Sequence, residues 1–191
     1  MKKLILLFVV CALCLGITAG CASDGSSSSL DVSDAGSRPS DGSSANNTGS
    51  GGAAVYMTSD ISAEGLMNIY NALGAKLPDG NIAVKISTGE PGSNYLRPEL
   101  IGDLVRAVDG TIVECNTAYG GQRANTAYHL QVAEDHGYTA IADVDIMDAD
   151  GSMTLPVTGG SHLTENYVGA NFANYDYFVV LSHFKGHSMA G

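Results

Sequence analysis

The chain has 191 residues, with 9 Lys and Arg against 20 Asp and Glu, a net charge of −11, and a mean hydropathy of +0.08. So acidic a surface repels phosphate backbones and excludes nucleic acid as a partner. Four cysteines, none in a Cys-x-x-Cys run after the first fourteen residues, exclude a disulfide framework.

In chain order, Lys2 and Lys3 precede an apolar run over residues 4–17 and the small-residue stretch TAGC ending at Cys21. A basic start, a short apolar run and small residues before the cut describe a secretory signal peptide over residues 1–20. The run is shorter than the ~20 residues of a membrane-spanning helix. A cysteine directly after Ala19-Gly20 reads as a lipobox, so Cys21 is expected to carry a lipid that holds the protein on the extracytoplasmic face of a cell membrane. Losing Lys2 and Lys3 takes the net charge from −11 to −13, so anionic headgroups would not attract the protein and the lipid must be its attachment. Residues 21–52 are mostly Ser, Gly, Asn and Asp and bury too little to offset the entropy of ordering. They read as a tether. With Cys11 and Cys14 removed and Cys21 blocked, Cys115 stands alone. An internal disulfide, or an iron–sulfur cluster ligated by this chain alone, is then excluded, because a cluster needs about four thiolates.

Residues 53–191 suffice for one domain with a core. Periodicity predicts a strand over 53–58 and a helix from a Ser62 cap to Leu73, then a strand over 81–87 and a helix opened by Pro98 over 98–108. A strand over 111–115, a helix over 123–136 closed by Gly137, and a strand over 139–145 follow. A looser stretch over 153–172 precedes a last strand over 177–181. Alternating strands and helices predict an α/β fold with a largely parallel sheet and flanking helices. Ligands of such sheets bind outside the carboxyl ends of the strands. On these boundaries the carboxyl ends carry Glu90, Glu114, Asp143 with Asp145, and the run His183, Lys185, His187.

The stretches AVKISTGEPG, TIVECNTAYGGQR, HGYTAIADVDIMDADG, LPVTGG and VVLSHFKGHSMAG are ordered and spaced as in the family called domain of unknown function 362, which about residues 59–191 resemble. The resemblance implies association with iron–sulfur, ferredoxin-type domains, but the cysteine motif of such a cluster is missing here. It also implies that the polypeptide continues past His187, so that residues 53–191 are the N-terminal part of a domain incomplete at its carboxyl end. No established reaction comes with the family.

His183, Lys185 and His187 stand at i, i+2 and i+4, on one face of an extended segment. Neutral imidazoles so spaced can ligate a transition metal, whereas the lysine between them suits a carboxylate- or phosphate-bearing ligand. Asp143 and Asp145 share one strand face and are expected to meet the histidines in one cleft, with Glu114 and Glu90 beside them. The four carboxylates of DVDIMDADG do not fit a calcium-binding helical hand, since Ile146 and Val157 would occupy its first and last ligand positions. YGGQR reads as a tight turn or as an anion-binding helix start, and Cys115 as a small buried hydrophobe. Two readings follow. One is a metal- or cofactor-binding redox-type protein; the other is a tethered module that captures a small solute without catalysis.

Overall fold

The computed structural model describes residues 54–77 and 79–183. The expected signal peptide, lipidated Cys21 and tether lie outside the described residues, as do Lys185 and His187. From Tyr56 onward the described residues belong to one compact unit; Ala54 and Val55 fall in another. Residues 54–58 form no strand, against expectation.

Ser62 caps α1 (Ala63–Ala72), its Oγ accepting the N–H of Gly65 at 3.0 Å and satisfying one of the donors a helix start leaves open. β1 (Ile82–Lys85) follows, then α2 (Pro98–Ala107), in which Pro98 occupies the first turn where no donor is needed. After β2 (Gly110–Glu114), a 3-10 turn over Gln122–Ala124 leads into α3 (Thr126–Asp135), whose cap Asn125 accepts the N–H of Tyr128 at 3.0 Å. β3 spans Val144–Ile146, β4 Ser152–Pro156, β5 Glu165–Gly169 and β6 Tyr177–Val180.

Two boundaries correct the sequence reading. The helix expected over 123–136 starts at Thr126, because Gly120 and Gly121 hold positive φ and turn the chain through the 3-10 segment first. The strand expected over 139–145 is displaced. Gly137 (φ 85°) and the buried Tyr138 open a second 3-10 turn over Tyr138–Ala140, so the strand pairs only from Val144. The stretch expected to be irregular, 153–172, contains the antiparallel pair β4–β5, in which Met153 and Leu155 are half-buried while Ser152, Thr154 and Pro156 are exposed.

The main sheet runs β3-β2-β1-β6, every neighbouring pair parallel. It is flanked by helices, so the domain is α/β as expected. Strand alternation sends Val84 and Ile86 into one cluster with Ile112, Ile101, Leu104, Val105 and Tyr138, and sends Ala83 into a second with Val113, Phe178, Met147 and Tyr175. Burial on both faces is why β1 and β6 read as largely apolar runs. Ile101, Leu104 and Ile112 are fully buried, each contributing about 1.5–3 kcal/mol by transfer from water. The chain steps outward from β1 through β2 to β3, then returns to place β6 on the far side of β1. The strand order therefore reverses between β1 and β6, the position where open α/β sheets receive ligands.

Candidate functional site

The carboxyl ends of β1 and β2 carry a buried polar network centred on Glu114. Its Oε2 accepts from Lys85 Nζ at 2.7 Å and from the Cys115 N–H at 3.1 Å; its Oε1 accepts from the Thr88 N–H at 3.1 Å and lies 3.8 Å from Arg123 Nη1. Lys85 Nζ also donates to the carbonyl of Ile86, which curls the ammonium over the end of its own strand. Glu114 is thus a buried carboxylate with its lone pairs engaged, and a buried charge so paired escapes most of its desolvation cost.

Arg123 reaches this network because the glycine turn aims it inward. Thr117 closes the turn, its N–H donating to the Arg123 carbonyl and its Oγ1 to the Gly120 carbonyl. YGGQR is therefore a tight turn whose side chain, rather than its backbone, supplies the charge. Nε and Nη2 of Arg123 donate to Glu90 Oε1 at 2.8 and 2.6 Å, and Nη1 donates to Thr88 Oγ1 at 3.1 Å. The Arg123 guanidinium holds the Glu90 carboxyl below the usual carboxylate range.

The donor directions fix a tautomer. Thr88 Oγ1 accepts from Arg123 and lies 2.8 Å from His129 Nε2. Asn116 Nδ2 donates to Thr126 Oγ1 at 2.9 Å, which leaves Asn116 Oδ1, an acceptor only, facing His129 Nδ1 at 3.4 Å; the neutral ring then carries its proton on Nδ1 and takes the Thr88 proton at Nε2. The contacts run Arg123–Thr88–His129–Asn116–Thr126, with the buried imidazole in the middle. Burial is the main cause that lowers the His129 pKa from the usual 6.5; Glu114 opposes it and Arg123 adds to it. An unfolded chain therefore takes up this proton first as the pH falls. The stabilising contribution is complete above about pH 6.5 and is lost as the pH drops toward the folded value. Urea midpoints of the wild type should fall between pH 8 and pH 5, while His129→Gln should show a flatter profile. Equal slopes in the two proteins would remove His129 from this account.

Glu90 and Glu114 are thus joined through Arg123. His183 follows β6 at the same edge, half-buried, two residues beyond Leu181, whose N–H donates to the Lys85 carbonyl at 2.9 Å. The expected common cleft of His183 with Asp143 and Asp145 is not formed. β6 and β3 occupy opposite edges of the sheet, three strand spacings or about 14 Å apart. The displaced start of β3 moves Asp143 to its amino end, and Asp145 lies within the strand, accepting from Asn171 Nδ2 at 2.9 Å and Tyr175 OH at 2.8 Å. Asp145 therefore ties β3 to the segment before β6. Asp148 accepts the Asn116 N–H at 2.9 Å, and the Gly151 N–H donates to its carbonyl, so this aspartate builds a turn. Cys115 is half-buried, its thiol pKa raised by burial first and by Asp148 next, as suits an inert thiol.

Lys85, Thr88, Arg123 and His129 were reachable from the sequence but carry no motif. The signals are a lysine inside the apolar run NIAVKIS, and a histidine sharing a helix face with Val132 and Ala133.

An open parallel sheet with reversed strand order and a buried ion-pair network at its carboxyl edge defines the class of this domain. The chain belongs to the family described as Domain of unknown function (DUF362), whose model matches residues 82–191, more than half of it. The match begins at the first residue of β1 and so takes in the whole network. No curated protein and no solved structure matches the chain.

Proposed function

We propose that the protein is a lipoprotein, anchored through Cys21 on the extracytoplasmic face of a membrane, whose α/β domain binds a small anionic solute at the carboxyl edge between β1 and β6. The observation that carries the reading is the position of Lys85. Its side chain is 34% exposed, at the end of β1 where the strand order reverses, while its partner Glu114 is buried and engaged by three other groups. Of its three donors Lys85 commits two, to Glu114 and the Ile86 carbonyl, and keeps one to offer a carboxylate or phosphate oxygen; Arg123 is buried and already occupied. The fixed loop at Thr88–Glu90 supplies a preorganised wall, which lowers the ordering cost of binding.

The metal- or cofactor-binding redox reading draws on His183 with His187. Among the described residues, no three His, Cys, Asp or Glu side chains gather so as to hold a metal ion, and the aspartates meant to join His183 lie across the sheet. Solute capture is the reading that the described residues support, through Lys85. Equilibrium dialysis of the full chain with inorganic phosphate, succinate and, as a control, free arginine is the test. One or both anions should bind and arginine should not, and Lys85→Met should weaken binding at least about tenfold, the equivalent of one charge-assisted hydrogen bond. Absence of anion binding, or unchanged affinity in Lys85→Met, would reject the site.

A further inference from the structure

A second surface lies at the opposite edge of the sheet. We propose that the groove between α3 and the outer edge of β3 receives an extended basic peptide, which adds to β3 as a further strand. Three observations converge on it, and none depends on the anion site.

The first is the hydrogen-bond phase of β3. Ile112 N–H donates to the Asp143 carbonyl at 2.9 Å, and Met147 N–H donates to the Glu114 carbonyl at 2.8 Å. In a parallel pair these bonds fix Asp145 as the residue whose backbone faces β2, so the N–H and C=O of Val144 face away from the sheet. Among the described residues, β3 pairs with β2 alone. An unpaired strand edge of this kind is a template for another strand.

The second is shape. A cavity of about 300 Å³ opens beside this edge, with Ala127, Leu130, Ala142 and Val144 supplying apolar walls. Ala127, Leu130 and Glu134 stand at i, i+3 and i+7 on one face of α3, so the groove has a helix for one wall and a strand for the other. Leu130 is 39% exposed there. Alternate side chains of an added strand point to one face, which would set one apolar side chain into the cavity.

The third is charge. Glu134 and Asp143 also line the cavity, and neither takes part in an ion pair among the described residues. A second copy of this chain would bring the same carboxylates together on a protein of net charge −11, which disfavours self-pairing. A segment with Lys or Arg flanking a branched apolar residue meets both the pocket and its rim.

The probe is a fluorescein-labelled Lys-Val-Lys-Val-Lys peptide titrated with the full chain at low salt, read by anisotropy, against Glu-Val-Glu-Val-Glu. The basic peptide should bind, the acidic one should not, and Glu134→Lys with Asp143→Lys should weaken binding at least tenfold. Hydrogen exchange at the Val144 amide of the wild-type chain should slow when the basic peptide is present, a readout that needs no variant. Equal binding of the two peptides, unchanged affinity in the double variant, or unaltered exchange at Val144 would overturn the proposal. In that case the two carboxylates only guard the edge against aggregation.

Discussion

Arg123→Met is expected to lower the unfolding free energy by about 1–3 kcal/mol, the range for leaving a buried polar group without one of its partners. The guanidinium is 7% exposed and supplies four contacts, to Glu90, Thr88 and Glu114. Methionine fills much of the space and offers no donor. Glu90 is half-exposed and can rehydrate, so the loss falls on Glu114 and on the Thr88 hydroxyl, which then has no donor fixing its direction. Arg123→Lys should recover little, because one ammonium cannot reproduce a planar fork that spans two loops. Urea denaturation of the three proteins measures this. A loss under about 1 kcal/mol, the value for an exposed pair, would mean that the network is wetter than the geometry describes.

Gly169→Ala should be the second severe change, at about 3 kcal/mol or more, the upper end of overpacking costs. A Cβ at this position would sit 2.5 Å from the Met147 carbonyl oxygen and 2.7 Å from the Asp148 nitrogen. These are backbone atoms, so no rotamer change relieves the contact. The same junction holds Asn171, whose N–H donates to the Met147 carbonyl and whose side chain reaches Asp145. Displacing Gly169 should therefore loosen the segment that leads into β6 and the edge that β6 forms with β1. Thermal melts of Gly169→Ala against Gly159→Ala separate crowding from backbone preference. Gly159 has φ 76° and open space around its Cβ position, so only the conformational penalty applies there. Similar melting temperatures for the two variants would refute the crowding argument.

Much of the architecture is legible in hydrophobic periodicity. The runs at Ile82–Lys85 and Tyr177–Val180 are apolar enough to mark strands covered on both faces, and Ser62 and Pro98 mark helix starts. The strand at 139–145 fails for a local reason. TAIADVD alternates as a strand does, yet the left-handed Gly137 drives Tyr138 into the core, and the following residues turn before pairing begins. That shift of a few residues carries Asp143 from one end of β3 to the other. Strand order fails for a global one, since nothing in a sequence of alternating elements says on which side of β1 the last strand will pair. Asp145 and His183 both follow apolar runs, but on opposite edges. Glu90 follows β1 and Glu114 ends β2, while the cations beside them carry no motif that marks them. Lys85 hides within a strand, and Arg123 reads as part of a helix although it belongs to the turn before it.

The central claim is that anions bind beside Lys85, at the β1–β6 reversal. The most direct measurement is a two-dimensional ¹H–¹⁵N spectrum of the lysine ammonium groups and backbone amides during titration with phosphate and with succinate. The account predicts saturable shifts of the Lys85 ammonium and of amides near Thr88 and Leu181, with little change at Asp143, Val144 and Asp145. Saturable shifts confined to β3, or to surfaces remote from Lys85, would contradict it.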